Sequence, residues 1–187
     1  MGTVIGLLAI AMVVVVIVYV VIIFNGLIAL KNNIAKAWSN IDVLLKQRYD
    51  EIPKLVRVCE GYMKHERATL ENVTKARSML QDASSPEQQT EASNMLTSTL
   101  RSLFAVSESY PDLKSDVNFR QLQARISEIE DLIADRREFY NETVNTYNIR
   151  IQQFPDLLVA NQLNYTPLRM WKINPEHRED VKIEFSF

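Results

Sequence analysis

The chain of 187 residues is poor in the residues that build most catalytic and metal sites, with one cysteine, two histidines and four glycines. Cys59 has no second cysteine with which to form a disulfide within the chain, and its apolar neighbours indicate a buried thiol. One cysteine and two histidines cannot supply the usual ligand sets of a structural zinc site. Glycine occurs only at positions 2, 6, 26 and 61, so no glycine-rich loop can hold a phosphate. We therefore expect no metal and no cofactor, and we predict that the protein is not an enzyme.

Charged side chains are absent from the first 30 residues. Within this stretch, the run from Val4 to Phe24 is 21 residues long and almost entirely aliphatic; at about 1.5 Å per residue, such a helix spans roughly the 30 Å hydrocarbon thickness of a bilayer. A cleaved signal peptide is the alternative, but no basic residue precedes the run and no cleavage site follows Phe24. We predict a retained transmembrane anchor over residues 1–30, carried by Val4, Ile5, Val13, Val14, Ile17, Val20, Ile23 and Phe24.

The distribution of basic residues predicts how the anchor is oriented. Lys31, Lys36, Lys46 and Arg48 follow the anchor within about 20 residues, the distance over which such charges bias orientation, and none precedes it. We expect a single-pass protein with its N-terminus outside and residues 31–187 in the cytoplasm. This part contains all 21 basic and 23 acidic residues and is nearly neutral, which argues against nucleic acid as a partner.

Beyond the anchor, apolar residues recur at steps of three and four, the spacing of a helix with one buried face. The first apolar stripe runs from Leu27 to Val73 with no turn cluster between it and the anchor. We expect Pro53 to kink this helix near residues 49–52 rather than end it, and Gly61 not to interrupt it.

Two more long helices are indicated further along the chain. Ser85 is a candidate N-cap for the second helix, Gln88 can complete a capping box, and the helix runs to about Ser109. The third helix begins after a cap at Ser115 or Asp116. Its apolar positions repeat every seven residues as in a coiled coil, at Phe119, Ile126, Ile133, Tyr140, Tyr147 and Phe154. The predicted fold class is all-α, with an N-terminal transmembrane helix continuing into an elongated antiparallel bundle of long helices.

The C-terminal region has a different character. Residues 156–163 can form one or two helical turns, and residues 164–180 contain Pro167 and Pro175, as in a linker. Residues 181–187 then alternate strictly between apolar and polar side chains, as in a β-strand. This end is either a loosely packed tail, a strand that docks on a groove, or a strand that pairs with other copies. In the last case the self-association residues are Val181, Ile183, Phe185 and Phe187. The predicted organisation is an anchor over 1–30, a helical bundle domain over 31–160 and a tail over 161–187.

Aromatic and polar residues on the helical stripes are candidates for a structural or partner-binding surface. Trp38, Tyr62 and Tyr140 either pack in the bundle core or form a ligand site between helices. Carboxylates such as Glu130 are expected to form exposed ion pairs on helix surfaces. Arg48, Arg77 and Arg136 are candidates for buried ion pairs. The surface candidates are Trp38, Asn40, Asp42, Arg48, Pro53, Tyr140 and Asn141.

A resemblance to a known family follows from several blocks of sequence. Residues 37–56, AWSNIDVLLKQRYDEIPKLV, resemble the signature of the LemA family. Further matching blocks follow in order at 61–66, 73–77, 110–114, 118–123, 136–141, 147–148 and 154–155. The resemblance covers roughly residues 25–160 and implies a bacterial inner (cytoplasmic) membrane protein with an N-terminal membrane helix and a domain of long antiparallel helices. It implies no settled biochemical role.

These observations favour a non-enzymatic, membrane-anchored helical scaffold. We expect it to form homo-oligomers in the lipid bilayer and to organise membrane or recruit a protein partner. The alternative is a membrane-tethered sensor or adaptor that binds a peptide or a small ligand between its helices.

Overall fold

The computed structural model describes residues 1–172, and every regular element in this range is an α-helix. The all-α prediction is therefore confirmed for the described part of the chain. The candidate strand residues Val181, Ile183, Phe185 and Phe187 lie outside it. The helices are α1 (Gly2–Tyr62), α2 (Arg67–Asp82), α3 (Pro86–Ser107), α4 (Pro111–Ser115), α5 (Val117–Arg150) and α6 (Asp156–Gln162).

The longest element, α1, has 61 residues and continues through Pro53, as the sequence predicts. Its N-terminal part is long and apolar enough to cross a membrane. Every side chain from Val4 to Ile22 is exposed, and Ile23 is the first buried one. The predicted apolar helix is thus present, and the kink at Pro53 stays a prediction.

The predicted continuation of the first stripe to Val73 is wrong, because α1 ends at Tyr62 and α2 begins at Arg67. The connecting turn is closed by a hydrogen bond from the Glu66 amide to the Met63 carbonyl, 3.0 Å long. Met63 is itself fully buried in this turn. The apolar period therefore continues across the break between the two helices. Gly61, a poor helix former, lies at the C-terminal end of α1.

The chain divides into two compact units. The anchor unit contains residues 1–41 and 136–170, and the core unit contains residues 42–135 together with Trp171 and Lys172 of the described tail. Both α1 and α5 contribute residues to each unit. The core unit buries an apolar cluster drawn from α1 to α5, composed of Ile52, Leu55, Cys59, Met63, Leu70, Val73, Ala76, Leu96, Leu100, Leu103, Leu113, Phe119 and Ile126.

Side-chain caps fix where two helices of the core unit begin. Ser85 accepts a hydrogen bond from the Gln88 amide (3.2 Å), as predicted for α3. The Gln88 side chain accepts from the Ser84 amide (2.9 Å) rather than from Ser85, so the capping box is shifted by one residue. Asp116, one of the two candidates, caps α5 by accepting from the Phe119 amide at 2.9 Å.

The C-terminal boundary of the third long helix differs from the prediction. Helix α5 ends at Arg150, and Phe154, predicted as the last position of its apolar seam, is 80% exposed. The segment from 164 to 172 has no regular structure, but it is not a loose linker. Asn148 accepts from the Leu168 amide and donates to its carbonyl, both at 2.8 Å, while Trp171 is only 4% exposed.

Candidate partner-binding surface and buried polar cluster

A buried cluster of polar side chains lies in the core unit. Arg48 on α1 is fully buried, and its Nη1 donates to the Glu130 carboxylate and to Thr97 Oγ1, the latter at 3.0 Å. Its Nη2 donates to Ser93 Oγ at 2.7 Å. Thr97 also donates to Glu130 Oε2 at 2.9 Å. This Arg48 cluster joins α1, α3 and α5 through charge-assisted hydrogen bonds, which are stronger than neutral ones.

The structure shows which of the three candidate arginines forms a buried ion pair. Arg48 forms the predicted buried ion pair, whereas Arg136 is exposed, so that candidate is wrong. The expectation of exposed pairing for Glu130 is also wrong, because its side chain is only 21% exposed and serves Arg48. Arg77, partly buried, stacks instead on the ring of Tyr49, with its guanidinium carbon 3.7 Å from the ring centroid.

A cleft of about 410 Å³ lies beside Tyr49 in the core unit. The Tyr49 hydroxyl donates to Gln81 Oε1 at 2.6 Å, and Arg77 Nε donates to the Tyr49 carbonyl at 3.1 Å, so the phenol ring is held firmly. Gln89 Oε1 is buried and accepts no hydrogen bond from any residue between 1 and 172. The residues lining this Tyr49 cleft are Asp42, Leu45, Lys46, Tyr49, Leu80, Gln81 and Gln89.

A second surface feature lies in the anchor unit, between α1 and α5. The rings of Trp38 and Tyr140 meet edge to face with centroids 5.3 Å apart, and the Tyr140 hydroxyl donates to the Arg169 carbonyl at 3.4 Å. Near this pair is a groove of about 520 Å³, in which Phe139 is 51% exposed. The groove, called the α1–α5 groove below, is lined by Leu30, Asn33, Lys36, Ala37, Asn40, Arg136, Phe139, Glu142, Thr143 and Thr146.

The candidate surface residues are divided between the two units. Trp38, Asn40, Tyr140 and Asn141 belong to the anchor unit, whereas Asp42, Arg48 and Pro53 belong to the core unit. Tyr62, the third member of the candidate aromatic ligand site, is also in the core unit, where its hydroxyl donates to Asp116 Oδ2 at 3.1 Å. The structure therefore brings Trp38 and Tyr140 together and gives Tyr62 a different partner.

Ionisable groups in the core unit have shifted pKa values with structural causes. Burial raises the pKa of the Cys59 thiol to about 12, with a smaller contribution from the nearby Glu60. The Phe119 amide, which bonds to Asp116, lowers the pKa of that carboxyl. The hydrogen bond to Asp116 raises the pKa of Tyr62. Each shift follows from burial, a side-chain hydrogen bond or helix capping, and each moves the pKa of the group further from neutral pH.

Within the described range, no three His, Cys, Asp or Glu residues are close enough together to hold a metal ion. His65 is exposed on the turn after α1, and His177 lies outside the described residues.

The amino-acid sequence is similar to those of several known proteins. A model of the LemA family matches residues 37–185. Protein LemA of Metamycoplasma hominis is 30% identical over 161 residues, which cover 84% of this chain and 72% of that protein. Magnetosome protein MamQ 2 of Paramagnetospirillum magneticum is 43% identical over 53 residues, which cover 28% of this chain and 20% of that protein. Magnetosome protein MamQ of Magnetospirillum gryphiswaldense is 34% identical over 53 residues, with the same coverage. By the extent of the first two matches, the chain belongs to the LemA family.

Proposed function

We propose that the protein is a non-enzymatic scaffold that is anchored in a membrane by α1 and associates with further copies of itself. The observation that carries the proposal is the continuity of α1. Its residues from Val4 to Ile22 leave their apolar side chains uncovered, whereas Leu27, Ile41 and Ile52 of the same helix are buried. A continuous apolar surface of this length is unfavourable in water and matches the thickness of a bilayer.

The orientation proposed for this anchor places the helical domain in the cytoplasm of a bacterium. Lys31 and Lys36 are exposed and follow the apolar segment closely, which supports an inside location for the residues after it. Fusions of a reporter to the C-terminus test the orientation. Green fluorescent protein should fluoresce there, and alkaline phosphatase should be inactive; the reverse pattern would contradict the proposed topology.

The α1–α5 groove is the surface proposed for self-association. Phe139 gives it an exposed aromatic side chain, a residue type that is enriched at the centres of protein interfaces. Lys36, Arg136 and Glu142 supply both signs of charge around Phe139, as a self-complementary interface requires.

The molar mass of the purified full-length protein in detergent tests self-association, measured by light scattering across a concentration series. We expect a multiple of the 21.6 kDa chain for the native protein and a shift towards one chain for Phe139→Asp. Val117→Asp is the matched control, because Val117 is also an exposed apolar residue of α5 (55%) but lies outside the groove. A native protein that stays monomeric, with or without residues 181–187, would rule out self-association.

A sensor or adaptor is the second candidate function, favoured by the Tyr49 cleft. The buried oxygen of Gln89 offers an acceptor to a ligand that carries a hydrogen-bond donor. A compound that binds there should raise the unfolding temperature of the native protein and not that of Gln89→Leu. An equal rise in unfolding temperature for both proteins would show that the compound does not bind in the Tyr49 cleft.

A further inference from the structure

The corner between α5 and α6 lies beside the part of α1 where the exposed apolar segment, residues 4–22, ends. Two contacts in the anchor unit give the direction of the helices. The Trp38 ring meets Tyr140, and Gly26 lies against the guanidinium of Arg150. The contact partner on α1 therefore moves towards the N-terminus as α5 runs towards its C-terminus. The chain beyond Arg150 then reaches the part of α1 near Ile23, the first buried residue of that helix.

This α5–α6 corner, residues 151–158, has both buried and exposed apolar side chains. Ile151 is 3% exposed and is packed within the anchor unit, as is Ala160 of α6. Phe154 and Leu158 take little part in that packing and are 80% and 62% exposed. Two large apolar side chains at such high exposure need another apolar environment to lower their free energy.

We propose that the α5–α6 corner is an interfacial membrane contact, in which Phe154 and Leu158 insert into the headgroup region of the bilayer that α1 spans. This inference rests on the proposed function, because it requires α1 to be embedded. On α1, Tyr19 and Phe24 are exposed near the same level, and aromatic side chains concentrate at membrane–water interfaces. The corner thereby supports the domain against the membrane beside its anchor.

The charges near the corner identify the lipid chemistry that it would recognise. Arg150 donates to the Asp156 carboxylate at 2.5 Å, and Lys31 lies 4.8 Å from the centroid of the Tyr165 ring. Within residues 151–158 the one charged side chain is Asp156, and Arg150 already neutralises it, so the corner itself offers little attraction to anionic lipid. The contact is apolar, and it should form equally on zwitterionic phosphatidylcholine and at high salt concentration.

Single-cysteine labelling of the full-length protein tests the contact. Cys59 is buried and its pKa is about 12, so it stays unlabelled in the folded protein, and an introduced cysteine takes the fluorescent probe. Phe154→Cys and Leu158→Cys report on the corner. Val117→Cys is the matched control, because Val117 is also an exposed apolar residue of α5 (55%) and lies outside the α1–α5 groove. Val13→Cys reports on the anchor itself.

Labelled proteins are reconstituted in phosphatidylcholine vesicles and exposed to a nitroxide quencher on the lipid or to iodide in the water. We expect probes at 154 and 158 to be quenched by the lipid nitroxide and protected from iodide, and the probe at 117 to show the opposite. A probe at 154 that behaves like the one at 117, while the probe at 13 remains in lipid, overturns the inference and leaves the anchor intact. Protection of 154 from both quenchers means that a second copy covers the corner, which also overturns it. Exposure of 13 to iodide would instead overturn the proposed anchor.

Discussion

Arg48 and Glu130 form an ion pair in which the guanidinium is fully buried and the carboxylate is 21% exposed. The pair joins α1 to α5 within the core unit, and Ser93 and Thr97 bring α3 into the same cluster. Because a buried charge without a partner is costly, alignments of these three helices that separate Arg48 from Glu130 are disfavoured. The cluster therefore favours this helix pairing and this register.

Removal of one partner tests this role. Arg48→Met should destabilise the domain by about 3 kcal/mol, because the variant leaves the Glu130 carboxylate without its cation. Chemical unfolding of the full-length protein in detergent, followed by circular dichroism, measures the change. Lys46→Met is the control, since Lys46 pairs with Asp50 at the exposed surface and should matter little. Equal effects of the two substitutions would show that the Arg48 cluster does not determine stability.

The double variant Arg48→Met with Glu130→Leu separates the pair from the cost of an unpaired charge. We expect it to be more stable than Arg48→Met alone, because no charged group then remains partly buried. The same unfolding measurement compares the two variants. A double variant at least as destabilised as the sum of the single ones would contradict this explanation.

The protection of Cys59 predicts both its reactivity and a dependence of stability on pH. At pH 8 a thiol reagent should react with Cys59 only after unfolding, whereas Gly61→Cys adds an exposed thiol that reacts in the folded protein. The folded thiol has a pKa of about 12, and its ordinary value is 9.0. Its contribution to stability is therefore complete below about pH 9 and is lost as the pH rises towards 12. Rapid labelling of the folded native protein would contradict the buried position.

The sequence predicts those features of the architecture that depend on local sequence patterns. The apolar run before Phe24, the caps at Ser85 and Asp116 and the short α6 are local patterns, and the structure has each of them. The break at residues 63–66 has no such local signal, because Met63 keeps its place in the apolar period while the backbone turns.

The apolar periodicity does not predict contacts between residues that are far apart in the sequence. The spacing from Leu45 to Arg48 and then to Ile52 already places Arg48 on the buried stripe of α1, so its burial could be predicted. Its partner Glu130 is 82 positions away, and the local pattern around Glu130 predicts an exposed ion pair instead. The packing of Trp171 against Asn94 likewise depends on the tertiary structure alone, and no pattern near residue 171 indicates it.

The cap at the start of α5 predicts a loss of stability in acid. Asp116→Ala should lower the unfolding temperature because the Phe119 amide loses its acceptor, whereas Asp116→Asn keeps an acceptor and should lower it less. The folded pKa of Asp116 lies below its ordinary value of 3.8. The stabilisation by its charge is therefore present above about pH 4 and is lost as the pH falls through the folded pKa. A difference between native protein and Asp116→Asn that stays constant from pH 6 to pH 3 would contradict this assignment.

Gly26 leaves room on α1 for the guanidinium of Arg150. A Cβ atom at this position would lie 2.7 Å from Arg150 Nη2, so a larger side chain must displace the guanidinium that holds Asp156. Relative to the same change elsewhere on α1, Gly26→Leu should cost about 1 kcal/mol, because the Arg150–Asp156 ion pair is disturbed. Gly6→Leu is the control, because nothing lies within 4 Å of that position. Thermal unfolding in detergent compares them, and a neutral Gly26→Leu would argue against the close packing.

The central claim is that α1 is one helix that serves as both membrane anchor and domain core. Alkaline carbonate extraction of cell membranes tests it most directly, when combined with the intact mass of the extracted protein. We predict that the protein stays in the membrane pellet with its N-terminal residues present. Recovery in the soluble fraction, or a mature chain that begins after residue 25, would contradict the account.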